Sequence, residues 1–263
     1  MRSINTRRFK FGFKHALYFM FARSWIVPAL IFTSLASAQE VKIGVGNFKP
    51  YFDGNTGLFT DLIVEVFKEM PQYQLKISST PMSNYRLLEE LNEGAIDGAA
   101  NIFLGDKIKG CLSDPFFRYD DVVITLKKRH IKIDSIADLR NKSIITYQNA
   151  KLFQPKEFSE VVDTNPTLYH ETPIQTNQVK MVALERVQVS VGDAYIFLDS
   201  LKDWKESSYK ASDFEFHRVL PVNSTYMAFR DQKLCADFNK ASQKIKESGR
   251  YDAIYKAYLD NLQ

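Results

Sequence analysis

Three polar side chains that could bind or activate a small molecule follow one apolar segment of the chain. The segment at 96–100 is followed by Asn101, and then by Asp106 and Lys107 in a loop of small and charged residues. An amide, a carboxylate and an ammonium group beyond a buried strand suit two kinds of site. They fit an active-site loop or one wall of a ligand cleft, and the residue types leave both open.

Sequence motifs for catalysis or metal binding are absent from the chain. None of the four histidines stands four residues from another histidine or from a cysteine, so the spacing gives no support for zinc. There is no nucleophile elbow and no phosphate loop, and the G-x-G of 44–46 lacks the third glycine of a dinucleotide motif. The acidic pairs Glu89–Glu90 and Asp120–Asp121 are more typical of an exposed face and a strand start. We expect no metal, no cofactor and no enzymatic activity.

Residues 1–38 have the composition of an export signal. They carry six basic residues and no acidic residue, and their apolar run at 25–38 ends in Ala-Ser-Ala before Gln39. This run of 14 residues is shorter than the about 20 of an uncleaved spanning helix, so we predict a cleaved signal peptide. The pair in "TRRFKF" (6–11) half-resembles a twin-arginine signal, which leaves the export route open. Cleavage predicts a periplasmic protein whose formal net charge falls from +4 to −2, so we expect no nucleic-acid binding.

Cys111 and Cys235 are the two cysteines of the chain. An oxidising compartment permits a disulfide between them. Two buried free thiols are the alternative, and the separation in sequence does not decide between these states. Neither cysteine stands at the predicted cleavage site, where a lipid would be attached.

The chain beyond the signal alternates between strand and helix patterns. Short β-branched runs predict strands, and apolar residues recurring at i, i+3 and i+4 predict helices. The predicted strands are 41–46, 73–79, 96–100, 121–128 and 142–148, and the predicted helices are 59–70, 84–93, 176–186, 232–247 and 250–261. A strand-turn-helix unit is predicted at 187–197. Such alternation predicts an α/β fold with parallel sheets covered by helices.

Eight segments of the chain occur in the order that one known family shows. They are the first strand, "GLFTDLIVEVF", "LNEGAIDGAA", "SDPFF", "DVVITLKK", "SIADLRNKSI", "VQVSVGDAY" and "LCADFNKASQKIKESGRYDAIYKAYL". Together they resemble the bacterial periplasmic solute-binding proteins of the polar amino-acid type (family 3), which serve ABC importers. The resemblance implies a two-lobed periplasmic-binding-protein fold of type II with two crossing hinge strands. It implies lobe 1 at 39–125 plus 226–263, lobe 2 at 126–225, and crossing strands at 121–128 and 224–230.

The resemblance also assigns residues to a ligand site. The family places an aromatic residue over the ligand after the first strand, where Phe48 and Tyr51 stand in this chain. Each could instead cap the core of lobe 1. The family ends a strand of lobe 2 with an aspartate that pairs with the α-amino group of the ligand, and Asp193 stands there. Its alternative role is the N-cap of a helix at 194–204.

The carboxylate end of the site departs from the family. Amino-acid binders use a threonine and an arginine beyond the third strand, and the arginine grips the ligand carboxylate with two hydrogen bonds. The loop after Asn101 is shorter here and offers Lys107, which cannot form that fork, and "TYQNAK" (146–151) replaces a glycine-threonine segment. Arg86 could supply the missing cation, or it could be an ordinary exposed helix arginine. The resemblance thus implies ligand binding at Phe48, Tyr51, Arg86, Asn101, Lys107 and Asp193.

Three classes of function fit these features. The first is a monomeric periplasmic protein that captures a small polar, amino-acid-like or carboxylate-bearing ligand in an interlobe cleft and delivers it to an ABC transporter membrane permease. The second is a dehydratase-like periplasmic enzyme on the same scaffold, with Glu89 or Asp106 as its acid. The third is a stand-alone sensing module, although family sensors usually continue into a signalling domain and this chain ends at Gln263. We expect the first.

Overall fold

The structure is a computed structural model that describes residues 38–46 and 48–262. The predicted signal peptide at 1–38 lies outside these residues, apart from its last position. None of the helices within the described ranges has both the length and the apolar character that crossing a membrane demands. The described chain forms eleven strands and eight α-helices, and the predicted α/β class is confirmed.

Strands and helices alternate along most of the described chain. The strands are β1 (Gln39–Gly44), β2 (Tyr73–Ile77), β3 (Gly98–Ile102), β4 (Cys111–Leu112), β5 (Phe117–Tyr119), β6 (Asp121–Leu126), β7 (Ile144–Tyr147), β8 (Tyr169–Thr172), β9 (Val189–Asp193), β10 (Phe214–His217) and β11 (Asn223–Phe229). The α-helices are α1 (Leu58–Lys68), α2 (Asn84–Glu93), α3 (Ala150–Phe153), α4 (Lys156–Val162), α5 (Gln175–Ala183), α6 (Ala194–Asp203), α7 (Gln232–Glu247) and α8 (Arg250–Leu262).

The first sheet has the strand order β2-β1-β3-β11-β4, and β5 also pairs with β11. Strand β1 runs parallel to β2 and β3, whereas β11 is antiparallel to its neighbours. Helix α1 buries Leu58, Leu62 and Val66, which recur every four residues and form one helical face. Helices α7 and α8 pack on α1 and enclose a core rich in aromatic rings. Fully or almost fully buried rings of this core are Phe59, Phe116, Phe117, Phe229 and Phe238.

Helix α2 ends at Gly94, whose left-handed backbone (φ 89°) favours glycine. The N–H groups of Gly94 and Ala95 both donate to the carbonyl of Glu90. The N–H of Ile96 donates to the same carbonyl at 3.4 Å, and β3 begins at Gly98, two positions after the predicted start of the strand. Asn101 therefore lies within β3, and not in the loop beyond it as the sequence suggested.

The second sheet has the strand order β10-β6-β9-β7-β8. Strand β6 is antiparallel to β9 and β10, whereas β7 is parallel to β8 and β9. Alternate residues of β6 therefore enter two different, largely aliphatic cores: Val122 and Ile124 enter one, and Val123 enters the other. Both sheets of the described chain are mixed, whereas the sequence predicts parallel sheets. In the first sheet the returning strand β11 runs opposite to β3, and in the second sheet the entering strand β6 runs opposite to β9.

The described chain passes between the two sheets twice, from β5 to β6 and from β10 to β11. The strand predicted at 121–128 lies in the second sheet and ends at Leu126, where a 3-10 helix (Lys127–Arg129) begins. The boundaries of the two predicted lobes, at 125 and 225, stay a prediction.

A disulfide joins Cys111 of β4 to Cys235 of α7. Their Cα atoms are 6.2 Å apart, and 124 positions separate the two residues in sequence. Cys235 is fully buried in the aromatic core of the first sheet. The bridge thus fastens a two-residue edge strand to the longest helix of the described chain.

Candidate ligand-binding site

The loop after β1 carries three aromatic rings. Phe48 and Phe52 form an isolated antiparallel bridge, which folds the loop back on itself. Tyr51 and Phe52 are fully buried, whereas Phe48 is partly buried against the core. The ring of Tyr119, on β5, lies 5.0 Å from that of Tyr51 and 6.4 Å from that of Phe48 between centroids. The structure thus brings both predicted aromatic residues together, and Tyr51 is also a residue of the first core.

Asp193 is the last residue of β9 and the N-cap of α6. Its Oδ1 atom accepts a hydrogen bond of 3.0 Å from the N–H of Ile196, so the expected capping role is present. Its Oδ2 atom accepts two more, of 2.6 Å from the hydroxyl of Tyr51 and of 2.7 Å from the N–H of Asp120. The capping geometry therefore leaves Oδ2 directed at the loop of the first sheet.

The electrostatics of this contact favour protons on both partners. Burial raises the pKa of Asp193 to about 7, and the charge of Asp121 acts in the same direction. The hydrogen bonds from Tyr51 and from two backbone N–H groups oppose that rise. Burial, and then the charge of Asp193, hold the pKa of Tyr51 well above its usual value, so its hydroxyl stays a donor.

Asp121 is a second buried carboxylate beside Asp193, and the sequence did not identify it. The two residues are directly opposite each other in the antiparallel pair β6–β9. The Oδ2 atom of Asp121 accepts hydrogen bonds from Gln154 (2.6 Å), Asn223 (2.8 Å) and Tyr147 (3.3 Å). Burial raises the pKa of Asp121, and those hydrogen bonds lower it. The sequence did contain one sign of this role, because Asp121 is an acid at the start of an otherwise largely apolar strand. A carboxylate that is buried there needs hydrogen-bond partners.

Asn101 connects the first sheet to the same group of side chains. It is buried, has a left-handed backbone (φ 62°), and lies one residue before the end of β3. Its Oδ1 atom accepts hydrogen bonds from the hydroxyls of Tyr119 (2.9 Å) and Thr225 (2.7 Å). Because the Tyr119 ring also contacts Tyr51, Asn101 is joined to the Tyr51–Asp193 contact through one side chain.

The two predicted cations lie away from these residues. Arg86 is exposed on α2, and its Nε atom donates to Glu90 at 2.7 Å, as an ordinary surface arginine does. Lys107 is exposed, and its backbone carbonyl accepts from the side chain of Asn92 at 3.0 Å. Asp106 accepts from the N–H of Phe103, which stabilises the turn after β3. Of the six residues predicted to bind a ligand, the structure brings four together and leaves Arg86 and Lys107 outside.

Comparison with known proteins gives the family context of this fold and site. A sequence model described as "Bacterial extracellular solute-binding proteins, family 3" matches residues 43–261. The L-cystine-binding protein TcyJ of Bacillus subtilis (strain 168) is 24% identical over 236 residues, which are 84% of this chain and 84% of that protein.

Two solved structures show the same fold. The probable amino-acid ABC transporter extracellular-binding protein ytmK from Bacillus subtilis has a TM-score of 0.66 at 21% identity, covering 85% of this chain and 98% of that one. A histidine kinase sensor domain with similarity to periplasmic binding proteins has a TM-score of 0.58 at 15% identity, covering 84% and 96%. These likenesses confirm the predicted type II periplasmic-binding-protein fold.

Proposed function

The chain belongs to the bacterial extracellular solute-binding proteins of family 3, and we propose that it captures a small polar, amino-acid-like solute between its two sheets. The proposal includes export to the periplasm and delivery of the solute, by a monomer, to the permease of an ABC importer. Two relatives support this reading of the family, since one is named for binding L-cystine and another for amino-acid ABC transport.

The observation that carries the proposal is the hydrogen bond of 2.6 Å between Tyr51 and Asp193. Tyr51 belongs to the loop that follows β1 of the first sheet, and Asp193 ends β9 of the second sheet. Open α/β sheets bind ligands beyond the carboxyl ends of their strands. A phenol and a carboxylate that meet there from two sheets are suited to hold one small molecule from both sides.

Access to Asp193 requires the two sheets to separate. Asp193 is buried, and its Oδ2 atom already accepts two hydrogen bonds. Because the described chain passes between the sheets twice, those two passages can serve as a hinge. In the open form the hydroxyl of Tyr51 leaves the carboxylate, and a donor on the ligand takes its place. A ligand that contacts both sides then favours the closed form.

We assign the four grouped residues, together with Tyr119, to the ligand. Phe48 and Tyr51 provide aromatic surface on the first-sheet side, where Asn101 provides an amide and Tyr119 a hydroxyl. Asp193 provides the acceptor on the second-sheet side. Arg86 and Lys107 stay candidates for a ligand carboxylate, but their exposure and the Arg86–Glu90 ion pair disfavour both.

We propose binding without chemical conversion. Glu89 and Asp106 are the acids that a dehydratase would require. Glu89 is exposed on α2, and the side chain of Asp106 is occupied by the turn after β3. Neither contacts the group formed by Tyr51, Asn101 and Asp193 among the described hydrogen bonds.

Native mass spectrometry of protein purified without refolding tests the proposed function. We expect an intact small molecule to remain bound and to dissociate on denaturation. Adding that molecule back to the stripped protein should raise the melting temperature by mass action and reduce the radius of gyration in X-ray scattering. Edman sequencing of exported protein should begin at Gln39.

A matched pair of variants makes this test specific. Asp193→Ala should abolish the shift in melting temperature, whereas Asp199→Ala, which removes a partly buried carboxylate elsewhere on the same helix, should retain it. Conversion of the molecule by the pure protein would contradict the proposal and support the dehydratase alternative.

A further inference from the structure

Two buried carboxylates face the same space at the end of the second sheet. Asp121 and Asp193 are each 6% exposed and are direct partners in the β6–β9 pair. Partners in an antiparallel pair project from the same face, with Cβ atoms about 5 Å apart. Two like charges at that distance destabilise each other, so the pair calls for a compensating group.

Every side chain that donates a hydrogen bond to the pair within the described residues is neutral. Asp193 accepts from Tyr51, and Asp121 accepts from Tyr147, Gln154 and Asn223. No ion pair of the described residues includes Asp121 or Asp193. Arg218, which lies nearby in the fold, is bound by Asp120 at 2.8 Å. The protein thus supplies hydrogen bonds to both carboxylates but no positive charge.

A second and independent sign of a missing donor is found beside the pair. Gln154 is 6% exposed, and its Nε2 atom donates to Asp121, yet its Oε1 atom is buried without a partner. Thr146 is fully buried, and its hydroxyl also lacks a partner. Thr146 pairs with Val191, which precedes Asp193 by two residues, so all three project from one face. The carboxylates and the free amide oxygen are acceptors that only N–H or O–H donors can satisfy.

Aromatic rings on the opposite side suit the same kind of ligand. Phe48, Tyr51 and Tyr119 pack against one another, and the faces of such rings attract cations. The two cations that could have received a ligand carboxylate, Arg86 and Lys107, are exposed and lie outside this group. The site is therefore well equipped for a positive group and poorly equipped for a negative one.

We propose that Asp121 and Asp193 together bind the ammonium or guanidinium group of an organic amine that has no carboxylate beside that group. The inference rests on the proposed function and specifies the solute class. The amine donates to both carboxylates and to the free Oε1 atom of Gln154, while the rings of Phe48 and Tyr119 cover its apolar part. An α-amino acid places its carboxylate next to the same ammonium group, where Asp121 repels it.

Titration calorimetry with two matched pairs of probes tests this inference on the full-length mature protein at pH 8. The pairs are L-phenylalanine with 2-phenylethylamine and L-leucine with 3-methylbutylamine, and each pair differs only by the carboxylate. For at least one pair we expect the amine to bind tenfold or more tightly than its amino acid. The comparison uses the unaltered protein, so it does not depend on the folding of a variant.

Two isosteric variants then assign the effect to the carboxylates. Asp121→Asn and Asp193→Asn should each weaken binding of the better amine by about 30-fold or more, because each removes one charge from a buried charged contact. Asp199→Asn removes a carboxylate from helix α6 outside the site, and we expect less than a twofold change. Melting curves confirm that each variant is folded.

The possible outcomes separate this inference from the proposed function. Tighter binding of the amino acids, with the amines weak, would overturn the inference and leave solute binding intact. An equal loss of amine affinity in Asp199→Asn and Asp121→Asn would also overturn it, since the loss would then come from the net charge of the protein and not from the paired carboxylates. A protein that binds none of the four probes and retains no small molecule in native mass spectrometry would count against both.

Discussion

The two sheets contribute different chemistry to the same site. The first-sheet side consists of aromatic rings, and Tyr51 and Tyr119 belong to or border one large aromatic core that also contains Cys235 of the disulfide. The second-sheet side consists of carboxylates at strand ends, and two largely aliphatic cores lie on the two faces of that sheet.

The difference indicates which property of the site each sheet controls. Rings embedded in a close-packed core move little without disturbing their neighbours, so the first sheet fixes the shape of the site. Carboxylates at strand ends gain or lose charge with pH, so the second sheet controls the charge of the site. Four experiments test this division, beginning with the largest expected effect.

Removing the disulfide should destabilise the first sheet most. In Cys111→Ala/Cys235→Ala, we expect the free energy of unfolding to fall by about 4–5 kcal/mol, because the bridge closes a loop of 124 positions in the unfolded chain. Urea denaturation of the oxidised parent and of the double variant measures the change. Ligand affinity of the folded variant should be retained, since neither cysteine contacts Tyr51 or Asp193. A decrease in the free energy of unfolding of less than about 1 kcal/mol would mean that the disulfide does little to restrict the unfolded chain.

Matched deletions of one buried helix ring in the core beside each sheet separate shape from stability. Phe59 lies 4.1 Å from Tyr51 and 5.4 Å from Tyr119 between ring centroids, whereas Phe158 belongs to a largely aliphatic core of the second sheet. Phe59→Ala and Phe158→Ala should each lower the free energy of unfolding by about 3 kcal/mol or more. Only Phe59→Ala should also weaken ligand binding, by about tenfold. Equal affinity in both variants would remove the distinction between the two sides.

The charge of the second-sheet side predicts a pH dependence of stability. The pKa of Asp193 rises from 3.8 to about 7 in the folded protein, so the folded state holds a proton that the unfolded state has lost. The free energy of unfolding of the ligand-free protein should therefore fall as pH rises from about 4 to about 7, by about 3 kcal/mol. Asp121 shifts in the same direction, and the facing phenols of Tyr51, Tyr119 and Tyr147 stay neutral in this range.

Urea denaturation across that pH range in the parent and in Asp193→Asn isolates this contribution. The variant lacks the titrating group, so its slope should be smaller and its relative stability should increase toward pH 8. A pair of parallel curves would show that Asp193 keeps an ordinary pKa.

The smallest effects should come from the exposed cations near the first sheet. Arg86→Ala removes an ion pair whose arginine side chain is 50% exposed, and Lys107→Ala removes an exposed ammonium. We expect the affinity for the solute to change by less than about twofold in either variant. Calorimetry measures this, with Asp193→Ala as the positive control. A tenfold loss of solute affinity in Arg86→Ala would instead indicate that Arg86 binds a ligand carboxylate.

Part of the site could be predicted from short stretches of sequence. The family resemblance assigns Tyr51, in the loop after the first strand, and Asp193, at the end of a later strand, to the ligand, and the structure brings the two within 2.6 Å. Asp121 was set aside as the start of a strand, because its role depends on Gln154 and Asn223, which are 33 and 102 positions away. Arg86 is proposed from the sequence to replace the carboxylate-binding arginine that the family has and this chain lacks. In the structure it forms an ion pair with Glu90, one helical turn away on the same helix.

The sequence by itself determined the alternation of strands and helices, the family and the approximate elements, because apolar periodicity and turn residues act over a few positions. The tertiary structure decided the mixed strand directions, the disulfide and the pairing of Asp121 with Asp193. It also decided that a phenol of one sheet donates to a carboxylate of the other, 142 positions apart. Such contacts depend on strand register and on how the two sheets approach, and local propensity carries no information about either.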